Sequence, residues 1–235
     1  MQTLRKADQR GTANFGWLNS AHSFSFGSYF DPEHMGFGPL RVINEDRVQP
    51  AKGFDTHGHR DMEILTYVLD GALAHKDSMG NGSVIERGDV QRMSAGTGVT
   101  HSECNDSDSD SVHFLQIWIE PAQVGIDPSY EQQRIDVRDT PNRWRVLASG
   151  RGKAGAVRVH QDIDLLGAWI EANQTLAYEL DGGRQYWLQV ARGSVEANGQ
   201  TLTEGDGLAI RDQKALSVMA RGDAEVLLFD LPASM

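Results

Sequence analysis

Short runs of apolar residues, several alternating with polar ones and most closed by a glycine, recur along this chain. Met62 to Leu69 carries Ile64, Leu65, Tyr67 and Val68, and Ser111 to Glu120 carries Val112, Phe114, Leu115, Ile117, Trp118 and Ile119. Leu40 to Val48 reads the same way, and runs of this length rich in β-branched and aromatic residues predict strands. Asp70-Gly71 separates the Met62 run from Ala72-Leu73-Ala74-His75, the two-residue signature of a β-hairpin. Gly80-Asn81-Gly82, Arg87-Gly88-Asp89 and Ala95-Gly96-Thr97-Gly98 mark further turns. Strands this short, punctuated by glycine, predict an all-β sandwich or barrel rather than a parallel α/β sheet. Residues 13 to 30 add Phe15, Trp17, Phe24, Phe26, Tyr29 and Phe30, several at even spacing, which predicts strand-period packing against a sheet.

The pattern lapses between 121 and 141. That stretch holds Pro121, Pro128 and Pro141, has little apolar periodicity, and allows a helical turn near Tyr130 to Arg134. A linker is expected there, dividing the chain into domains 1–130 and 131–235. Strand patterns then resume at 144–147, 156–160, 166–171, 185–191, 194–197 and 225–231, so the second half reads as a degenerate copy of the first.

The 235 residues, 39% of them hydrophobic, with 25 glycines and 7 prolines, are enough to bury a core and are rich in turns. No apolar run approaches the roughly 20 residues a membrane span needs. The charged start, Met1-Gln2-Thr3-Leu4-Arg5-Lys6, is not followed by the apolar stretch of a secretory signal, so a cytoplasmic location without membrane attachment is expected. A net charge of −11 with scattered Lys and Arg argues against direct contact with a nucleic-acid backbone. The single cysteine, Cys104, excludes an intramolecular disulfide and fits a reducing compartment; it reads as a small, half-buried residue.

Candidate chemistry sits in Thr56-His57-Gly58-His59. On a strand His57 and His59 share a face roughly 6.5 Å apart, so both imidazoles can reach one ion. His101-Ser102-Glu103 repeats the alternation and offers a third imidazole and a carboxylate, while the same alternation turns Cys104 away. Three imidazoles with one carboxylate suit a divalent transition metal better than calcium or magnesium. Seven of the eight histidines lie at or before residue 113, and no His-x-His occurs in the second half, so metal is expected in the first half only. Glu63 shares the parity of His59 and reads as a fifth ligand, an outer hydrogen-bond acceptor or a proton acceptor. His75 and His113 read as hydrogen-bonded sheet residues, His34 as exposed, and His22 as a core residue or one behind the ligands. The acidic stretch Asn105 to Asp110 lacks calcium-loop spacing and reads as a solvated hairpin tip.

Taken together, Gly53-x3-His57-x-His59-x3-Glu63-x7-Gly71, His75-Lys76-Asp77-Ser78, Gly88-Asp89-Val90-Gln91-Arg92-Met93-Ser94-Ala95-Gly96 and His101-Ser102-Glu103 resemble the two motifs of the pirin family of cupins. Phe24-Ser25-Phe26 and Met35-Gly36-Phe37-Gly38-Pro39-Leu40 are also pirin-like. Ser94-Ala95-Gly96 stands where many cupins have Pro-x-Gly, and Glu103 takes the ligand role usual for Glu63. Both departures are features of pirins. The resemblance implies an all-β bicupin of two jelly-roll-like β-barrel domains facing each other, with metal in the N-terminal one. It places the ligands at His57, His59, His101 and Glu103, around one divalent transition metal per chain. Iron stands first among the candidates, with nickel, cobalt, manganese, copper and zinc as alternatives. It further implies quercetin 2,3-dioxygenase-type cleavage of flavonols with release of carbon monoxide, on a flavonol-like substrate and dioxygen, with Glu103 as catalytic base. A monomer is expected. The alternative reading is a metal- or redox-sensing regulator acting through a protein partner.

Overall fold

The computed structural model describes residues 1–233. Among them the regular structure is almost wholly β-strand, and the chain forms two compact units, each discontinuous in sequence. The first comprises Gly11–Ile135 with Val157–Gln161, and the second comprises Met1–Arg10, Asp136–Ala156 and the residues from Asp162 onward.

In the first unit a seven-stranded antiparallel sheet runs Ser129–Arg134, Asp89–Ser94, Glu63–Asp70, Val112–Ile119, Leu40–Val48, Leu18–His22, Gly11–Asn14. A four-stranded sheet runs Gly53–His59, Val99–Asn105, Ala72–Asp77, Gly82–Glu86. The barrels expected from the sequence are thus open two-sheet sandwiches. Apolar side chains gather in two clusters, one around Leu18, Val68, Leu73 and Phe114, the other around Ile64, Met93, Ala95 and Val99. Asp70 and Gly71 make the expected hairpin corner, with Gly71 at φ +77°, where glycine carries no Cβ penalty.

The second unit repeats the plan. One sheet contains Gln2–Arg5, Gly207–Ile210, Arg184–Arg192, Ala224–Pro232, Asp164–Ile170 and Arg145–Ser149 in that order, and the other runs Thr175–Glu179, Ala215–Ala220, Ser194–Ala197, Gln200–Thr203. The strands that correspond by order to the histidine-bearing ones carry Leu176, Leu216, Val218 and Val195, all buried in one aliphatic core.

Three local expectations change. Tyr130 to Arg134 belongs to a strand, because its polar sequence pairs in register with Asp89–Ser94. The first ten residues belong to the second unit, since Gln2–Arg5 pairs with Gly207–Ile210, and the units part between Ile135 and Asp136. Of the aromatic stretch, only Gly11–Asn14 and Leu18–His22 are strands, and Phe15 and Phe30 are exposed.

Candidate metal centre

Alternation on Val99–Asn105 turns Val99, His101, Glu103 and Asn105 inward and leaves Thr100 and Cys104 exposed. Cys104 therefore points away from the site as expected, but it is open to solvent rather than half-buried. His101 pairs with His57 on one neighbouring strand and with Asp77 on the other, and Glu103 stands opposite His75. Between His101 and Glu103 the register slips, so that Glu103 faces Phe54 instead of Asp55. Such a bulge changes the strand's parity. Its consequence is that Phe54 and His57, three residues apart, both line the same cavity.

The three imidazoles converge. His101 Nε2 lies 3.0 Å from His59 Nε2 and 3.1 Å from His57 Nε2. His57 Nδ1 is 2.8 Å from the Asp55 carbonyl and donates to it, which leaves the lone pair on Nε2. Desolvation, reinforced by the neighbouring imidazoles, holds His59 at about 4 and His101 at about 3. Both are thus unprotonated at neutral pH, the state a metal requires. One shared proton can satisfy only one of two contacts to His101 Nε2, whereas a cation satisfies all three lone pairs. The donor set fits a divalent transition ion.

Glu103 is buried and lines the cavity beside His57 and His59. Burial pushes its pKa up to about 7; hydrogen bonds from Gln116 pull it down, and the charge of Asp46 adds to the rise. Gln116 Nε2 donates to both carboxylate oxygens, at 3.2 and 3.0 Å. With His75 and His101, Glu103 forms a second group whose ligand atoms lie within 4.8 Å of one another. His75 meets Asp77 at 3.2 Å, the hydrogen-bonded role expected of it, and its place beside His101 and Glu103 is additional. The signal was present: His75-x-Asp77 copies the alternation of His101-x-Glu103 on the adjoining strand.

Glu63 does not join the site. The strand bearing His59 ends before it, Asp61 adopts φ 46°, and Glu63 starts a strand of the larger sheet. There its Oε2 accepts from the His160 backbone N–H at 3.0 Å and lies 3.3 Å from His160 Nδ1. His113 bonds Glu45 at 3.0 Å, as a sheet residue should. His22 is buried, 2.8 Å from Ser20 Oγ, and lines the cavity. His34 is half-buried against Asp31 at 2.7 Å rather than exposed, because the turn after Asp31 folds back on it.

The cavity has a volume of about 200 Å³. Phe26, Phe54 and Trp118 form apolar walls, with Trp118 edge-on to His59 at 4.9 Å, and Ser20, Asn44 and Asp46 add polar lining. The last three were not marked as site residues in the sequence.

Two sandwiches of this topology, one with three convergent imidazoles beside a buried carboxyl and the other with an aliphatic interior, define a two-domain cupin. The chain belongs to the pirin family. Residues 3–119 match the Pirin family model, and residues 146–231 match the quercetinase C-terminal cupin domain. The chain is 48% identical over 229 residues to a quercetin 2,3-dioxygenase of Escherichia coli, covering 97% of this chain and 98% of that protein. It is 42% identical over 224 residues to a pirin-like protein of Caulobacter vibrioides, covering 95% and 96%. Its fold matches the crystal structure of a bacterial pirin from Escherichia coli in complex with nickel(II), with a TM-score of 0.94 and 46% identity over 99% of both chains.

Proposed function

We propose that this protein is a metal-dependent dioxygenase that opens the heterocycle of quercetin-like flavonols. The observation that carries the reading is one cavity lined at once by His57, His59 and Glu103, with His101 completing the imidazole triad, and walled by aromatic rings. The similarity to a quercetin 2,3-dioxygenase over the full chain supports it.

His57, His59 and His101 would hold a divalent ion, with Glu103 as the fourth ligand. Iron is our first candidate, and the nickel(II) complex of the related pirin is in keeping with an ion of this kind. When bound, the ion supplies Lewis acidity toward the adjacent hydroxyl and carbonyl oxygens of a flavonol. The chain's own part is to orient the substrate and take a proton. Phe26, Phe54 and Trp118 place a flat ring system and keep water from it. Glu103, the carboxylate that lines the cavity beside the imidazoles, is the group placed to accept the flavonol hydroxyl proton, and Gln116 fixes its plane. Dioxygen then adds across the two carbons flanking the hydroxyl-bearing carbon, which leaves as carbon monoxide while both oxygen atoms stay in the resulting depside.

The test is turnover of quercetin under ¹⁸O₂ by protein of measured metal content. Carbon monoxide equal to the oxygen consumed, label in the depside, and loss of both with chelator are expected. Oxygen uptake that yields hydrogen peroxide without carbon monoxide would sink the dioxygenase reading and turn attention to the sensor alternative.

A further inference from the structure

Asn44 and Asp46 occupy adjacent inward positions on Leu40–Val48 and both line the cavity. They are 3% and 5% exposed, yet the Oδ1 atom of each has no hydrogen-bond partner. The strand neighbours leave both of these oxygens unpaired, and the hydrogen bond from Ser20 to the Asp46 carboxyl does not engage its Oδ1. Gln116, opposite Asn44, spends its amide on Glu103. His22, opposite Asn44 on the other side, is 2.8 Å from Ser20, and Ser20 stands opposite Asp46. Trp118 brings an Nε1–H to the same cavity wall that is also buried without a partner.

A buried acceptor left unpaired is destabilising, and native proteins retain few. Two on one strand face, roughly 6.5 Å apart and facing a cavity, are suited to donors that arrive with a ligand. The surrounding aromatic rings demand that those donors sit on something flat. We propose that Asn44 and Asp46 form a subsite that accepts hydrogen bonds from phenolic hydroxyls on an outer ring of the substrate. This inference rests on the flavonol reading and narrows it: the preferred substrates are polyhydroxylated flavonols, selected by a floor that penalises a ring without hydroxyls.

The experiment is calorimetric titration, under argon, of zinc-loaded protein, which supports no redox turnover. Quercetin, hydroxylated on both outer rings, is compared with unsubstituted 3-hydroxyflavone. Quercetin should bind the wild type at least about tenfold more tightly, since a site built for a hydroxyl discriminates against its absence. In Asn44→Leu and Asp46→Leu that ratio should fall toward one, through loss of quercetin affinity alone, while Asp46→Asn, which keeps an acceptor, should retain it. A wild-type ratio near one, or a ratio unmoved by both leucine variants, overturns the subsite and leaves the flavonol reading standing. Failure of both flavonols to bind the wild type removes the subsite and the flavonol reading together. Should the leucine variants not fold, the wild-type ratio and Asp46→Asn decide.

Discussion

Four groups around the cavity, three buried and His59 half-buried, titrate in opposing directions in the metal-free protein. Asp46 is pushed from 3.8 to about 7, first by desolvation and then by the charge of Glu45, against a hydrogen bond from Ser20; Glu103 also rises to about 7. His59 and His101 fall from 6.5 to about 4 and about 3. A carboxyl whose folded pKa is raised contributes stability below its unfolded value and loses it as pH rises through about 7. An imidazole whose folded pKa is lowered lets the unfolded chain take the proton first, so stability falls as pH drops below 6.5 toward 4. Asp46→Asn removes one carboxyl from this balance. The metal-free variant should therefore gain stability over wild type at pH 8 relative to pH 5, on the order of 1–4 kcal/mol by denaturant titration. Equal differences at the two pH values would show that Asp46 ionises freely in the folded chain. Glu103→Gln keeps an oxygen for the metal and loses basicity, so metal content should largely hold while turnover falls by about 10² to 10⁴. Full activity with metal retained would make Glu103 a spectator. The spacing of His57, His59, His101 and Glu103 was readable as strand alternation. Asn44, Asp46 and Gln116 were not, because a polar residue inside an apolar strand gains meaning only from the register that sets it opposite others.

At the scale of elements, the site depends on how closely Gly53–His59 approaches Val99–Asn105. A Cβ on Gly53 would fall inside van der Waals contact of the Glu103 carbonyl oxygen and the Cys104 Cα, both backbone atoms that cannot swing aside. Gly53→Ala must therefore push the two strands apart at the bulge that sets Phe54, His57 and Glu103 into one cavity. A loss of about 1–3 kcal/mol in stability is expected, with metal content reduced by elemental analysis. Wild-type stability with full metal would show that the bulge absorbs the strain. The hairpin at Asp70-Gly71 was legible because turn chemistry is local. Ser129–Arg134 was not, since Ser-Tyr-Glu-Gln-Gln-Arg has no apolar period and takes its strand character from the ladder to Asp89–Ser94. Parity also misled for Glu63: it holds only while the strand continues, and Asp61 ends it.

At the scale of the whole molecule, the two halves share a sheet order but differ in what fills them. The duplication could be read from the repeated glycine-punctuated runs, and the absence of His-x-His from the second half was equally plain. The docking of Gln2–Arg5 onto Gly207–Ile210 was hidden, because no local pattern records a pairing across some two hundred residues. The strands equivalent to the histidine-bearing ones present Leu176, Val195, Leu216 and Val218 to an aliphatic core, which offers neither a ligand atom nor the polar surroundings to hold a charge. We therefore expect one metal per chain, and loss of it in His101→Ala, because His101 Nε2 is the atom both other imidazoles approach. The measurement is metal per chain by elemental analysis of the full-length wild type and variant. A second equivalent in the wild type, surviving in His101→Ala, would mean a metal site outside the imidazole triad, and His75 with Asp77, 3.2 Å apart on the adjoining strand, would be the first place to look.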